Sequence, residues 1–344
     1  MKTSALDYEL PPELIAQIPI EPRDAARLLV LDRGSGALAH RGFRDLVQYL
    51  RRGDVLVFNE TRVLNARLQA VKIATGGRVE VLVLKRLDAT TWESLVGGSG
   101  VRVGSRLRIV PAREDTRVEI TAEVVSEFER GGRVLRFDCP IDDQLDVLGS
   151  VPLPPYIHRP LQDSERYQTL FARIPGSIAA PTAGLHFTAD LMQALRERSV
   201  AMTFVELRVG LDTFRPIDEG VVEQHRMHTE YCRVSAETVE QIERARRAGG
   251  RVIAVGTTAV RTLEAASQAD GLVAPFDGDT SLFITPGYVF RVVDGMITNF
   301  HLPRSTLLAL VAAFAGLEQV LAAYRAAIAE KYRFYSFGDA MLIL

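Results

Sequence analysis

Apolar positions change their period along the chain, and the change divides it. RLLVLDR (27–33) and DVLVFN (54–59) read as buried strands, and FRDLVQYL (43–50) between them carries apolar residues at helical spacing. PPELIAQ, before them, opens with prolines that suit the first turn of a short helix. A period switching between two and 3.6 is the rhythm of βαβ units. From about Val63 to Leu148 the helical period vanishes. RVEVLVL, SRLRIV, VEITAEVV and RVLRFD alternate apolar and polar residues between Gly-rich or acidic turns, which predicts a small β sandwich or barrel. VPLPPYIHRP (151–160) then returns through four prolines, a stiff linker.

The βα rhythm resumes after the linker. TADLMQALRE predicts a helix capped by Thr188, AMTFVELRV a strand, and SAETVEQIERARRAGG a helix from Ser235 to the Gly249–Gly250 stop. RVIAVG predicts a strand and TTAVRTLEAA the next helix, with two more over Thr306–Leu317 and Gln319–Tyr332. The expected organisation is an α/β domain of residues 1–62 and 151–344, interrupted by a β domain of residues 63–150. A length of 344 residues agrees, because single cores stop growing near about 250–300 residues.

Composition changes this picture little. Hydrophobic residues at 47% and charged residues at 24% suit a folded chain rather than a disordered one. The N-terminal segment lacks the apolar core of a signal peptide, and the most apolar run, Leu307–Leu317, is too short to span a bilayer. A cytoplasmic protein with no membrane partner is expected. Cys139 and Cys232 stand apart without CxxC spacing, so neither a disulfide framework nor a thiolate metal site is indicated. The net charge of −2 conceals segregation: residues 62–117 carry eleven Lys or Arg against five Asp or Glu, and residues 118–150 carry three against eight. A polyanionic partner is permitted, not required.

Five polar clusters sit at predicted strand ends or helix starts. In VIAVGTTAVRT, Thr257 and Thr258 open a helix with Arg261 on its first turn, a place suited to a carboxylate or phosphate. QHRMHTE holds His225 and His228 three apart, which on a helix would share a face; with no third ligand at a diagnostic spacing, no metal is expected. NFHLPRST sets Asn299, Phe300, His301 and Arg304 around Pro303, and FNETRV ends a buried strand in Asn59, Thr61 and Arg62. YRFYSFGDAML adds Tyr335 and Asp339. Beside these five, IAAPTAGLHF interrupts an apolar run with Pro181, Thr182, Ala183, Gly184 and His186, where backbone rather than side chains is wanted. GxGxxG and GxxxxGK[ST] are absent.

Together FNETRVLNARL, VPLPPYIHR, GSIAAPTAGLHFT, VGLDTFRP, HRMHTE, VIAVGTTAVRTLE, ITNFHLPRSTLLALVAAFAG and YRFYSFGDAMLI resemble the S-adenosylmethionine:tRNA ribosyltransferase-isomerase family of queuosine biosynthesis. The likeness runs in order from ELPPELIAQ to the last residues. It implies an α/β fold with a three-layer main domain and an inserted small β-barrel, and a transferase, working as a monomer. Its implied substrates are S-adenosylmethionine, as ribosyl donor, and a tRNA carrying 7-aminomethyl-7-deazaguanine in the anticodon. The ribosyl unit would move to that base and rearrange to give epoxyqueuosine, releasing adenine and methionine.

Such a reaction needs a base near the acidified 5′ carbon and help for departing adenine, and histidine suits both tasks. The expected acid–base candidates are His186, His225, His228 and His301, with Asp339 as orienter or base. Pro181–Gly184 would present bare backbone to a flat base, and His186 would face the reacting centre. Thr257, Thr258 and Arg261 would hold the methionine carboxylate or a phosphate. Tyr288, Phe300 and Tyr335 are stacking candidates, and arginines of 62–117 would hold the tRNA backbone. One motif departs: the family pattern has histidine and glycine where this chain has Arg208 and Asp212, which makes Arg208 a binding candidate. An S-adenosylmethionine-dependent RNA methyltransferase and a non-catalytic RNA-binding module are the alternatives.

Overall fold

The strand-forming segments gather into two separate sheet systems. The structure, a computed structural model, describes residues 1–112, 119–128, 131–210 and 216–344; Asp212 lies outside the described residues. Two compact units result: Met1–Arg62 with Pro154–Ile174 and Ala180–Leu344, and Val63–Leu153 with Pro175–Ala179.

In the first unit nine strands make one sheet: β1 (Arg27–Leu31), β2 (Leu38–Gly42), β3 (Val55–Asn59), β4 (Ala201–Leu207), β5 (Glu230–Val234), β6 (Val252–Val255), β7 (Phe276–Thr280), β8 (Gly295–Asn299) and β9 (Ala340–Ile343). Their spatial order is β7-β5-β4-β3-β6-β8-β9-β1-β2. The centre, β4-β3-β6-β8, is parallel, and every residue of β3, β6 and β8 is buried. Strands covered on both faces read as continuous apolar runs, which is why VLVFN and VIAV lack alternation.

Five longer helices belong to this unit: α1 (Ala189–Glu197), α2 (Ala236–Arg247), α3 (Thr257–Ala265), α4 (Thr306–Ala315) and α5 (Leu317–Ala329). The side chains of β3 sort to two cores. Val55 and Val57 pack with Ile242, Val260 and Leu308 from α2, α3 and α4; Leu56 and Phe58 pack with Phe43, Phe187 and Leu191. Helices therefore cover both faces, a three-layer arrangement. The expected caps are made: Thr188 Oγ1 accepts from Leu191 N–H and Ser235 Oγ from Thr238 N–H. Buried Asp54 joins the starts of β3 and β6, accepting from Arg251 N–H at 3.0 Å and from Arg251 Nη2 at 2.7 Å.

Three local expectations change. PPELIAQ yields only a single 3₁₀ turn, Pro12–Leu14. The last helix begins at Leu317, where Gly316 at φ 88° reverses the chain, and ends at Ala329 rather than Tyr332. His225 and His228 do not share a helical face, because after a 3₁₀ turn at Val222–Gln224 the chain runs on without helix into β5.

The second unit is a closed barrel. Six antiparallel strands, Arg67–Lys72, Arg78–Arg86, Thr91–Val96, Gly132–Phe137, Thr121–Phe128 and Arg106–Val110, follow one another, and the last pairs back onto the first. Closure removes the edges that a sandwich would leave. Leu68, Val81, Trp92, Leu107, Val124 and Leu135 fill its interior. Outside, Arg78 and Arg108 lie in one row, each directly opposite Val71.

Candidate active site

A cleft opens at the carboxyl ends of the parallel strands, where open α/β sheets take their ligands, with about 540 Å³ of space between its lining atoms, open solvent included. Its lining comes from four separated stretches: Ala180–Ala183, Gly256–Thr258, Thr298–Leu302 and Tyr335–Ser336, joined by Tyr156, Val209 and Leu307. Nine residues singled out in the sequence meet here: Pro181, Thr182, Ala183, Thr257, Thr258, Asn299, Phe300, His301 and Tyr335.

Each wall has a local cause. Gly256 ends β6 at φ 92°, a left-handed conformation that a side chain would strain, and it turns the chain directly into α3. The first N–H groups of α3 and its dipole are thereby set at the cleft. Thr258 Oγ1 is buried there without a hydrogen-bond partner among the described residues. Opposite, Thr182 Oγ1 donates to Asn299 Oδ1 at 2.8 Å, and Asn299 Nδ2 donates to the Tyr335 carbonyl at 3.2 Å. Asn299 thus ties the TAG turn to the C-terminal turn. Tyr335 itself sits at φ 68°, unusual for a bulky residue and the kind of strain that gathers at functional sites.

His301 is held from both sides. Its N–H donates to Tyr324 Oη at 2.8 Å, and its carbonyl accepts from Tyr8 Oη. The ring's Nε2 lies 2.7 Å from Thr298 Oγ1, while Nδ1 makes no hydrogen bond among the described residues. Burial pushes its pKa down to about 3, so the ring is neutral near pH 7.

Other sequence candidates lie outside this lining, most with their polar groups committed to the protein. His186 does not face the cleft: its Nδ1 is 3.1 Å from the Ala183 carbonyl, its Nε2 is 3.0 Å from the Gly338 carbonyl, and its ring stacks on Phe43. Burial lowers its pKa, outweighing the two carbonyls that raise it. Asp339 accepts from Arg27 N–H at 2.8 Å and Arg333 N–H at 2.7 Å, which makes it a backbone clamp rather than a base aimed at a substrate. His225 Nδ1 contacts Glu219 at 2.8 Å.

Arg261 turns from the helix start toward Glu230, and the two form a buried ion pair, with His228 Nε2 3.1 Å from the same carboxylate. Glu230 also accepts from Gly210 N–H at 2.8 Å, beside the cleft residue Val209. Burial opposes its ionisation, but the adjoining His228 ring and the Arg261 charge outweigh that and hold the carboxyl at about 2. Arg261 Nη1 and Nε are thus committed inside the protein, to Glu230 and to the Leu282 carbonyl, while its buried Nη2 has no hydrogen-bond partner among the described residues.

The remaining placements are peripheral. Asn59 bridges β3 to β4, donating to the Leu207 carbonyl at 3.0 Å and accepting its N–H at 3.2 Å, and Thr61 Oγ1 reaches the same carbonyl. Arg62 pairs with Glu165, Arg208 with Glu206 beneath its stack on Tyr231, and Arg304 with Asp7. Gly184 is buried where a Cβ would strike Phe171 at 2.7 Å. Tyr288 donates to Glu264 at 3.1 Å and is absent from the lining. Sequence reasoning missed Tyr156, Val209, Thr298 and Ser336; only Thr298, a polar residue three before His301 at a strand end, carried a readable signal. Among the described residues no group of three or more His, Cys, Asp or Glu is placed to share a metal ion, and no single helix is long and apolar enough to cross a membrane.

A three-layer α/β unit with a helix N-terminus, a neutral histidine and open hydroxyls at one strand-end cleft defines a small-molecule-binding enzyme architecture. The pattern of the family described as queuosine biosynthesis protein matches residues 3–343, and the chain belongs to that family. It is 53% identical over 347 residues to the S-adenosylmethionine:tRNA ribosyltransferase-isomerase of Symbiobacterium thermophilum, and 52% identical over 348 residues to that of Moorella thermoacetica. Both alignments cover 100% of each chain. The crystal structure of the S-adenosylmethionine tRNA ribosyltransferase from Thermotoga maritima is 41% identical, covers 99% of this chain and 100% of its own, and superposes with a TM-score of 0.57.

Proposed function

We propose that this chain is a transferase of queuosine biosynthesis. It moves the ribosyl unit of S-adenosylmethionine onto 7-aminomethyl-7-deazaguanine in a tRNA anticodon and isomerises it, giving epoxyqueuosine. In the net reaction the aminomethyl nitrogen gains the five-carbon unit, the donor's C–S and glycosidic C–N bonds break, and methionine and adenine leave. The observation that supports this best is the meeting of four motif segments in one cleft, within a chain resembling ribosyltransferase-isomerases along its whole length.

S-adenosylmethionine occupies this cleft. Its carboxylate meets the N–H groups at the start of α3, with Thr257 and Thr258 beside them. Pro181–Ala183 and Tyr335 flank the flat base, and His301 meets the reacting part of the donor. Exposed Arg78, Arg106 and Arg108 on the barrel hold the tRNA backbone, so tRNA affinity falls with salt. The protein acts in the cytoplasm, where its tRNA is.

The test is incubation with S-adenosylmethionine labelled in its ribose and with tRNA carrying 7-aminomethyl-7-deazaguanine. Label in RNA and free adenine should appear in equal amounts. Release of S-adenosylhomocysteine would mark a methyltransferase, and neither product a binding module.

A further inference from the structure

Thr298 Oγ1 lies 2.7 Å from His301 Nε2 at the end of β8, and it has no other hydrogen-bond partner among the described residues. Both residues line the cleft, and the grip of Tyr8 and Tyr324 on the His301 main chain keeps the ring over Thr298. Because the ring is neutral, one nitrogen carries hydrogen and the other a lone pair, and the partner of Nε2 decides which.

Two arrangements satisfy the contact. If Nε2 carries the hydrogen, Thr298 accepts, and its own O–H is left as a buried donor with nothing to meet. If Thr298 donates, Nε2 accepts and the hydrogen resides on Nδ1. Each arrangement leaves one donor unmet by the protein, but the second places it at Nδ1 of His301, 8% exposed, instead of on Thr298, 1% exposed, and an unmet donor costs more the deeper it is buried. We propose that Thr298 fixes His301 as the Nδ1–H tautomer, so that the ring offers the cleft a hydrogen-bond donor rather than a base. The group it suits is an acceptor with an in-plane lone pair, such as a purine ring nitrogen. On the reading that S-adenosylmethionine fills this cleft, that acceptor belongs to its adenine, whose departure is eased by a donor. Thr298 is a positioning residue, and the proton at the 5′ carbon must go elsewhere than to His301.

Nitrogen-15 shifts of the imidazole in the intact wild-type protein test this directly. Nδ1 should show a protonated and Nε2 an unprotonated nitrogen; the reverse would overturn the proposal. Kinetics add a second arm. Thr298→Val should lose about 10- to 100-fold in kcat, with the KM for S-adenosylmethionine and the thermal midpoint nearly unchanged, while Thr298→Ser keeps roughly wild-type turnover. Wild-type kcat in Thr298→Val beside an inactive His301→Ala would overturn it as well. Full activity in His301→Ala would instead defeat the reading of the cleft, and the tautomer measurement would still decide the role of Thr298.

Discussion

The buried polar groups of the α/β unit fall into two regions that differ in how their hydrogen-bonding capacity is used. Behind the cleft, His186 has a carbonyl at each ring nitrogen, Asp339 holds two backbone N–H groups, and Glu230 holds Gly210 beside its ion pair. Within the cleft, among the described residues, His301 keeps Nδ1 unpartnered and Thr258 keeps a bare hydroxyl. Burial does not separate them, since His186 is 4% exposed and His301 8%. Nor does the direction of the pKa shift, which is downward in both. Among these groups, open valence lies in the cleft and closed valence holds its walls still.

The sharpest separation should come from Glu230→Gln. Removing one partner of a buried pair leaves Arg261 uncompensated, at a cost of about 3–5 kcal/mol by chemical denaturation. The wild type carries an acid signature of the same pair. Its folded pKa of about 2 lies below the ordinary carboxyl value of 4.5, so the stabilisation is complete above about 4.5 and is lost as pH falls toward 2. Glu230→Gln should lack that part of the acid dependence. An unchanged acid profile would mean that the pair contributes nothing.

His301→Ala should come next and act on turnover instead. Loss of one preorganised donor lowers kcat by about 10²–10³. His186→Ala reverses the pattern: the hydrogen bond to one of the two carbonyls, the Phe43 stack and ring packing are lost, for about 3 kcal/mol of stability, with kcat within roughly tenfold. Kinetics and melting curves of the two alanine variants form one experiment. A His186 variant that is stable but inactive would abolish the contrast.

The sequence made the layers legible and the site half so. RVIAVG followed by TT, and ITNF followed by a proline-started helix, announced a strand end beside a helix start, because glycine, threonine and proline act on the backbone locally. The same local chemistry located Thr258, Asn299 and His301. Pairing across long distances was not legible. Nothing in TAVRTLE says that Arg261 meets Glu230, 31 residues earlier, and nothing in TAGLH says that Gly338 waits for His186. Histidine and arginine in a motif therefore read as reactive until the fold shows their partners. The HRMHTE segment misled for a related reason: three-residue spacing implies a shared face only on a helix, and here the chain has left its 3₁₀ turn.

Thr258→Val carries the smallest effect and the finest test of the contrast. The side chains nearly match in shape, and the hydroxyl has no partner to lose among the described residues, so stability should stay level or rise slightly. If the open valence exists for S-adenosylmethionine, the variant should bind it about 5- to 10-fold more weakly, roughly one neutral hydrogen bond, with kcat little changed. Titration calorimetry with S-adenosylmethionine alone separates this from any effect of tRNA. Unaltered affinity would show that a buried, unpartnered hydroxyl at a helix start can be mere tolerated loss. The reading of the cleft would then rest on His301 and the α3 N–H groups alone.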